Sequence, residues 1–378
     1  MHTSKKFAAA LAAVALAITA AACGDDTNDD ATASGGSSGG GTAAENLTGK
    51  LAGAGSSAQE AAVQAWTAGI QGNNSDLTIS YDPVGSGGGR EQFGSGGVQF
   101  AGSDSAAKEE DLANAQKRCG GPDNLVEVPV YISAIAVAYN LEGVDNLQLS
   151  PETLAKIMAG KITKWDDPAI KADNPDAQLP GDRINTVHRS DKSGTTKNFT
   201  DYMAKTASSD WTNEADDVWP LKGGEAAQGT SGVVDALKNG KGSIGYADES
   251  QVADPLKKAK IKVGEAFVEP SAAGATKDVE LSKQSDEDKG KYVYTLSVER
   301  KPTDSAAYPI TLVSYQLACT SYKDAKQGTN VKGLLSYIIS DKGQQAAAQN
   351  AGSAPLPASV RQKIQPFVEA IGSGSGGQ

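Results

Sequence analysis

Histidine is almost missing from this chain, with only His2 and His188 among its 378 residues. His2 falls in a leader-like segment, so a single imidazole is left for acid–base work near neutral pH, and histidine-based catalysis is thinly supplied. Cysteine is nearly as scarce: Cys23, Cys119 and Cys319 show no zinc-ligand spacing, and no metal site or cofactor is expected. Positive charge is short as well. The 35 Lys and Arg stand against 46 Asp and Glu, for a formal net charge of -11, which argues against nucleic acid or an anionic lipid surface as the main partner. Beyond residue 22 no apolar run is long enough for a membrane-spanning helix, which excludes a polytopic membrane protein built of helices.

What is present is a globular composition, 39% hydrophobic and 21% charged, over a length that suits two domains of ordinary size. Lys5 and Lys6 precede an Ala-rich apolar run from Phe7 to Ala22, too short for a comfortable membrane span, so residues 1–22 read as a signal peptide. Ala20-Ala21-Ala22-Cys23 resembles a bacterial lipoprotein cleavage box, with Ala20 where Leu is usual, and makes Cys23 the candidate for lipidation. Residues 23–48, rich in Asp, Thr, Ser and Gly, read as a flexible tether to the outer face of the cytoplasmic membrane. Removing Lys5 and Lys6 takes the net charge to -13, so any anion bound here must be held by local donors against the overall field. In an exported chain the pair Cys119 and Cys319 invites a disulfide; two buried free thiols are the alternative.

The most informative stretch is Val187-His188-Arg189-Ser190-Asp191-Lys192-Ser193-Gly194-Thr195-Thr196-Lys197. A short apolar strand from Arg183 to Val187 precedes it and a helical pattern from Asn198 follows, which makes the polar run a strand-to-helix turn. Hydroxyls of Ser193 and Thr195 and backbone N–H groups of Ser193, Gly194 and Thr195 would converge at a helix N-terminus, whose orphan donors and dipole favour negative charge. Arg189 and Asp191, two residues apart, share a side if the strand persists, so that the carboxylate fixes the guanidinium fork. The plain alternative is an ordinary N-cap beside a surface ion pair.

Similar turns recur. Gly53-Ala54-Gly55-Ser56-Ser57 leads into a helix, with Ser57 and Glu60 spaced as a capping box. The strand Leu77 to Tyr81 runs into Gly85-Ser86-Gly87-Gly88-Gly89, a glycine-rich turn that admits close backbone approach to a ligand, although composition alone would call it a linker. Val98 to Ser105 is a third strand with Asp104 at its end, either at a binding site or merely capping the helix around Glu109 to Lys117. Two apolar β segments, Val126 to Asn140 and Tyr308 to Cys319, are long enough to cross between domains. Residues 265–306 read as a peripheral hairpin or long loop, and helices are expected at Val331 to Gln349 and Ala358 to Ile371.

Taken with Gly160-Lys161-Ile162-Thr163-Lys164-Trp165-Asp166-Asp167 and Ile244-Gly245-Tyr246, these motifs resemble, in order and approximate spacing, the phosphate-binding protein of bacterial phosphate ABC importers, the PstS family. The resemblance implies an α/β, two-lobe periplasmic-binding-protein (type II) fold with two hinge-crossing strands. Lobe I would comprise residues 49–140 plus 310–372 and lobe II residues 141–309. Carried over position by position, the phosphate ligands would be Ser57, Ser86, Asp104, Arg189, Asp191, Ser193, Gly194 and Thr195, with Asp104 accepting the proton that hydrogen phosphate carries and sulfate lacks. The family commonly has Thr-Phe where this chain has Ser57-Ala58. The implied partners are inorganic phosphate and a membrane permease, for an extracytoplasmic lipid-anchored monomer with no enzyme activity.

Other readings compete. Asp191-Lys192-Ser193-Gly194-Thr195-Thr196 is similar to the phosphorylated-aspartate loop of P-type ATPases, but those pumps need many transmembrane helices. A hydrolase using Ser193 lacks a Gly-x-Ser-x-Gly frame and has only His188 to draw on. A binder of another tetrahedral oxyanion on the same fold remains open, because fold does not fix ligand.

Overall fold

A computed structural model describes residues 46–286 and 290–373. The signal peptide, Cys23 and nearly all of the tether expected from the sequence lie outside these residues. In chain order, β1 (Gly49–Gly55), α1 (Glu60–Gln71), β2 (Leu77–Asp82), α2 (Ser86–Ser95), β3 (Phe100–Ser103) and α3 (Glu109–Cys119) form strand-then-helix units. The long β4 (Leu125–Asn140) leads to β5 (Gln148–Leu149), α4 (Pro151–Met158), α5 (Pro168–Asp173), β6 (Asn185–Arg189), α6 (Gly194–Thr206), β7 (Glu225–Ala227), α7 (Gly229–Asn239) and β8 (Ser243–Asp248). Short strands β9 (Lys257–Lys258), β10 (Lys260–Val263) and β11 (Ala266–Val268) come next, then α8 (Ala272–Leu281). After β12 (Lys283–Gln284), β13 (Tyr292–Val293) and β14 (Leu296–Ser297), the second long strand β15 (Thr311–Cys319) returns, and α9 (Ala325–Ile339), α10 (Asp341–Ala351) and α11 (Ala358–Glu369) close the chain.

The main sheet runs β2-β1-β3-β15-β4-β8-β6-β7. Its two ends are parallel, β1 with β2 and β3, and β6 with β7 and β8, as strand-then-helix connections require. The middle is antiparallel and continuous. Residues Leu125 to Ala134 of β4 pair with β15, while Ile135 to Asn140 pair with β8, so a single strand belongs to both halves of the sheet. This explains its composition: every residue of β4 except Asn140 is buried, and so is all of β15, because helices cover both faces.

Local expectations fare unevenly. The mixed α/β class and the two long strands are as anticipated, and Cys119 at the end of α3 is joined to Cys319 at the end of β15 by a disulfide. The capping box does not form, since α1 begins at Glu60 with no side-chain cap and Ser57 sits in the bend before it. The glycine run is not an open turn either; Ser86 to Gly89 are already the first turn of α2, and the turn proper is Pro83 to Gly85. The charge-rich stretch 265–306 contains the helix α8, whose Ser271 caps Gly274 N–H, and the helix expected from Val331 is two helices broken at Ser340. Among the described residues no helix is long and apolar enough to cross a membrane.

Candidate functional site

The strand-to-helix turns that carry the candidate residues are tied together by hydrogen bonds between the β1–β3 side and the β6–β7 side of the sheet. In the β6–α6 turn, Ser193 caps α6 by accepting Thr196 N–H at 3.2 Å, which leaves the first turn of the helix pointing inward. Arg189 is 3% exposed and grips Asp191 through both nitrogens of one edge, Nε to Oδ1 at 2.8 Å and Nη2 to Oδ2 at 2.5 Å. The strand ends at Arg189, so the pair is made by the bend that follows rather than by strand geometry. Burial works to raise the Asp191 carboxyl, but the bonds and charge of Arg189, with the Gly229 N–H, outweigh it and hold it below the usual carboxylate range.

From the other half come Ser57, Ser86 and Asp104. Asp104 is 2% exposed, and among the described residues no cation is hydrogen-bonded to it. Its Oδ2 accepts from Thr195 Oγ1 at 3.0 Å and its Oδ1 from Ser314 Oγ at 2.6 Å, while Ser86 Oγ accepts the Asp104 N–H at 3.1 Å. Burial pushes this carboxyl up; hydroxyls from Ser314, Ser56 and Thr195 and the nearby charge of Arg189 pull the other way without cancelling it. Asp104 therefore does not serve as the cap of α3, whose N-cap position is Lys108.

Ser57 lies against the start of α7: its Oγ shares a 3.0 Å bond with Thr230 Oγ1 and accepts Thr230 N–H at 3.0 Å. One residue earlier, Gly229 N–H donates to Asp191 Oδ1 at 3.1 Å, which links Ser57 through α7 to the Arg189–Asp191 pair. Two glycines make the approach possible. Gly85, at φ +91°, stands where a Cβ would fall 2.2 Å from Asp191 Oδ2, and a Cβ on Gly194 would lie 2.8 Å from the Asp104 carbonyl carbon and Ser105 N. All eight candidate positions are thus brought into one cluster of hydroxyls, amides, one guanidinium and two carboxylates.

Sequence reasoning gave no site role to several members, although Ser56 and Tyr246 stand in the motifs quoted above. Thr230, Ser56, Ser314 and Tyr246 all enter the cluster or brace it; Tyr246 Oη accepts Arg189 N–H at 3.3 Å and shares a 2.7 Å bond with Thr196 Oγ1. Its ring stacks on Phe199 of α6 at 4.3 Å, fixing the helix behind the cradle. A second glycine-bounded helix start, Gly229-Thr230, was the available signal for Thr230. His188 is occupied elsewhere: its ring nitrogens meet the carbonyls of Arg189 and Gly223, and the ring stacks on Trp219 at 5.0 Å. Ser193 Oγ accepts the Thr196 N–H as a helix cap, which leaves its O–H free to donate, and the His188 ring that a hydrolase would need as its base is engaged by backbone carbonyls instead.

A cradle of donors from two halves of a sheet, crossed by two long strands, is the arrangement of a solute-binding protein. The family described as PBP superfamily domain matches residues 17–342. Phosphate-binding protein PstS 3 of Mycobacterium tuberculosis is 35% identical over 309 residues, covering 78% of this chain and 79% of that protein. PstS 2 of the same organism is 34% identical over 327 residues, covering 85% and 87%. The chain belongs to the PstS family of phosphate-binding proteins within that superfamily. Its fold is similar to that of a high-affinity periplasmic phosphate-binding protein solved with phosphate, with a TM-score of 0.67, 22% identity and coverage of 84% and 93%. These relatives are named as binding proteins, not as enzymes.

Proposed function

We propose that this protein binds inorganic phosphate outside the cytoplasm and hands it to the permease of an ABC importer. The observation that carries the reading is Asp104, a buried carboxylate with hydroxyl neighbours and, among the described residues, no bonded cation, facing the donor-rich start of α6. Such an arrangement suits an anion that brings its own proton. Hydrogen phosphate would donate to Asp104 and accept from Arg189, from the hydroxyls of Ser57, Ser86 and Ser193, and from the first amides of α6, those of Gly194 and Thr195, with many charge-assisted bonds in place of a pool of positive charge. Sulfate would set a lone pair against the carboxylate, and a buried polar site rejects such a mismatch by roughly 10⁴-fold.

In this reading residues 49–140 plus 310–372 form one lobe and 141–309 the other, with β4 and β15 as the hinge. Binding closes the lobes, and the closed form is what the permease recognises. Residues 1–22 direct export, Cys23 carries the lipid anchor, and the mature protein acts as a monomer. Adding phosphate, sulfate and Mg²⁺-ATP separately while following melting temperature and Trp fluorescence tests it. Stabilisation by phosphate alone, with no release of phosphate from ATP, is expected. Equal stabilisation by sulfate would turn the protein into a general oxyanion binder, and Mg²⁺-dependent turnover would make it an enzyme.

A further inference from the structure

A second buried arginine, Arg90, sits one turn past Ser86 on α2 and touches none of the candidate ligand positions with its side chain. It is 3% exposed, and its guanidinium is nearly saturated. Nε donates to Asp111 Oδ2 at 2.8 Å, Nη1 to Ser103 Oγ at 2.8 Å and to Ser105 Oγ at 3.1 Å, and Nη2 to Asp217 Oδ2. Ser103 and Ser105 are the two neighbours of Asp104. Asp217 comes from the other half of the sheet, in the connection between α6 and β7, and its Oδ1 also accepts Ser105 Oγ at 3.1 Å. Its backbone carbonyl accepts Ser193 N–H at 2.8 Å. One guanidinium therefore holds both flanks of Asp104 and, through Asp217, the turn that opens α6.

We propose that the Arg90–Asp217 pair is a clasp that sets how long bound phosphate is retained, by locking the strand end that carries Asp104 to the turn that carries Ser193, Gly194 and Thr195. The inference rests on the phosphate reading and deepens it; Arg90 and Asp217 are positioning residues. The bonds between them cross the two halves, so they exist only while the halves are together, and a contact of that kind favours the closed state without adding anything to the encounter. Because Asp217 is held below the usual carboxylate range despite its burial, chiefly by the Arg90 charge, the pair is ionised at neutral pH. The other cross-half ion pair near the site, Lys192 Nζ to Glu91 Oε1 at 2.9 Å, is exposed on both sides and screened, which makes it a natural control.

Stopped-flow phosphate kinetics on the full mature chain tests the clasp. Asp217→Asn keeps the shape and the acceptor but removes the charge, and is expected to raise koff about tenfold, the effect of roughly 1.4 kcal/mol, while kon changes less than threefold. Glu91→Gln should leave both rates within about twofold. Should Asp217→Asn fail to fold, Ser105→Ala removes one hydroxyl from the clasp and is expected to raise koff by about threefold. A koff within twofold of the unsubstituted chain in the folded variant, or a Glu91→Gln effect as large as that of Asp217→Asn, overturns the proposal. No phosphate binding by the unsubstituted chain would instead defeat the phosphate reading itself, and the clasp with it.

Discussion

The two halves of the cradle solve the same problem, placing charge in a buried site, by opposite means. In the β6–α6 half, Arg189 is neutralised at once by Asp191 within the same turn, and the helix start supplies the remaining donors. In the β1–β3 half, Asp104 is a buried carboxylate solvated by hydroxyls, Ser314 of β15 in its own half and Thr195 of α6 from the other. The first half is complete on its own; the second is satisfied only when the pieces are assembled. On the proposed phosphate reading, a site divided this way would draw its affinity from the donor half and its discrimination from the acceptor half, and would couple both to assembly.

The largest disruption should come from breaking the self-sufficient half. Arg189→Met leaves Asp191 buried without its partner, a loss on the order of 3–5 kcal/mol, and phosphate affinity measured by calorimetry should fall by about two orders of magnitude or more. Asp191→Asn retains the guanidinium and should cost less. If Arg189→Met bound phosphate within about threefold of the unsubstituted chain, the donor half would be misassigned.

Asp104→Asn tests the other half and should act on selectivity more than on strength. The amide can donate where the carboxylate could only accept, so sulfate gains a partner that hydrogen phosphate loses, and the phosphate-to-sulfate preference in competition should drop by roughly 10²-fold. An unchanged ratio would remove Asp104 from the role of proton acceptor, whatever happened to absolute affinity.

How much of this division was legible beforehand depends on whether the signal was local. Arg189, Asp191, Ser193, Gly194 and Thr195 lie within seven residues, so a strand, a polar turn and a helix pattern sufficed to bring them together. The largely apolar runs at 126–140 and 308–319 likewise announce long strands covered on both faces, even though Glu127, Ser133, Ser314 and Gln316 interrupt them. The acceptor half was harder. Ser57 carried a local signature, the capping box, that the fold does not use, because Thr230 from 173 residues away takes its hydroxyl. Arg90 and Asp217, 127 residues apart, have no periodicity or motif to announce them. The helix at 272–281 was hidden in a charged stretch because its buried positions are Gly, Ala, Asp and Val rather than large apolar residues.

Gly194 is the hinge of the comparison, since it is the point where the donor turn touches the backbone of the acceptor strand. Gly194→Ala would place a Cβ 2.8 Å from backbone atoms of Asp104 and Ser105, which cannot swing aside as a side chain would. Alanine suits a first helical turn, so the ligand-free protein should melt within a few degrees of the unsubstituted one. Phosphate affinity should fall by about tenfold, as the two halves are held apart by overpacking worth about 1–3 kcal/mol. Unaltered affinity would mean that this approach is not needed for binding.

The smallest effect on binding, none at all, is expected from a carboxylate that shows what Asp104 would be without its hydroxyls. Asp278 on α8 is fully buried and neither of its oxygens has a hydrogen-bond partner of ordinary geometry; burial pushes it up to about 7, with the charge of Arg300 and the nearby Thr311 hydroxyl pulling the other way. Its folded value thus lies above the ordinary one near 4 of an unfolded chain. Between about pH 4 and pH 7 the folded protein keeps a proton that the unfolded chain has released, so the contribution is fully present below that window and lost as pH rises through it. Asp278→Asn should remove this fall, flattening the stability-against-pH curve by up to about 1.4 kcal/mol per pH unit and raising the melting temperature at pH 8, with phosphate affinity unchanged. Denaturant melts of both proteins at several pH values decide it. Parallel curves would show that Asp278 is ionised throughout, and that burial alone does not protonate a carboxylate in this fold, so that the elevation of Asp104 would need another cause.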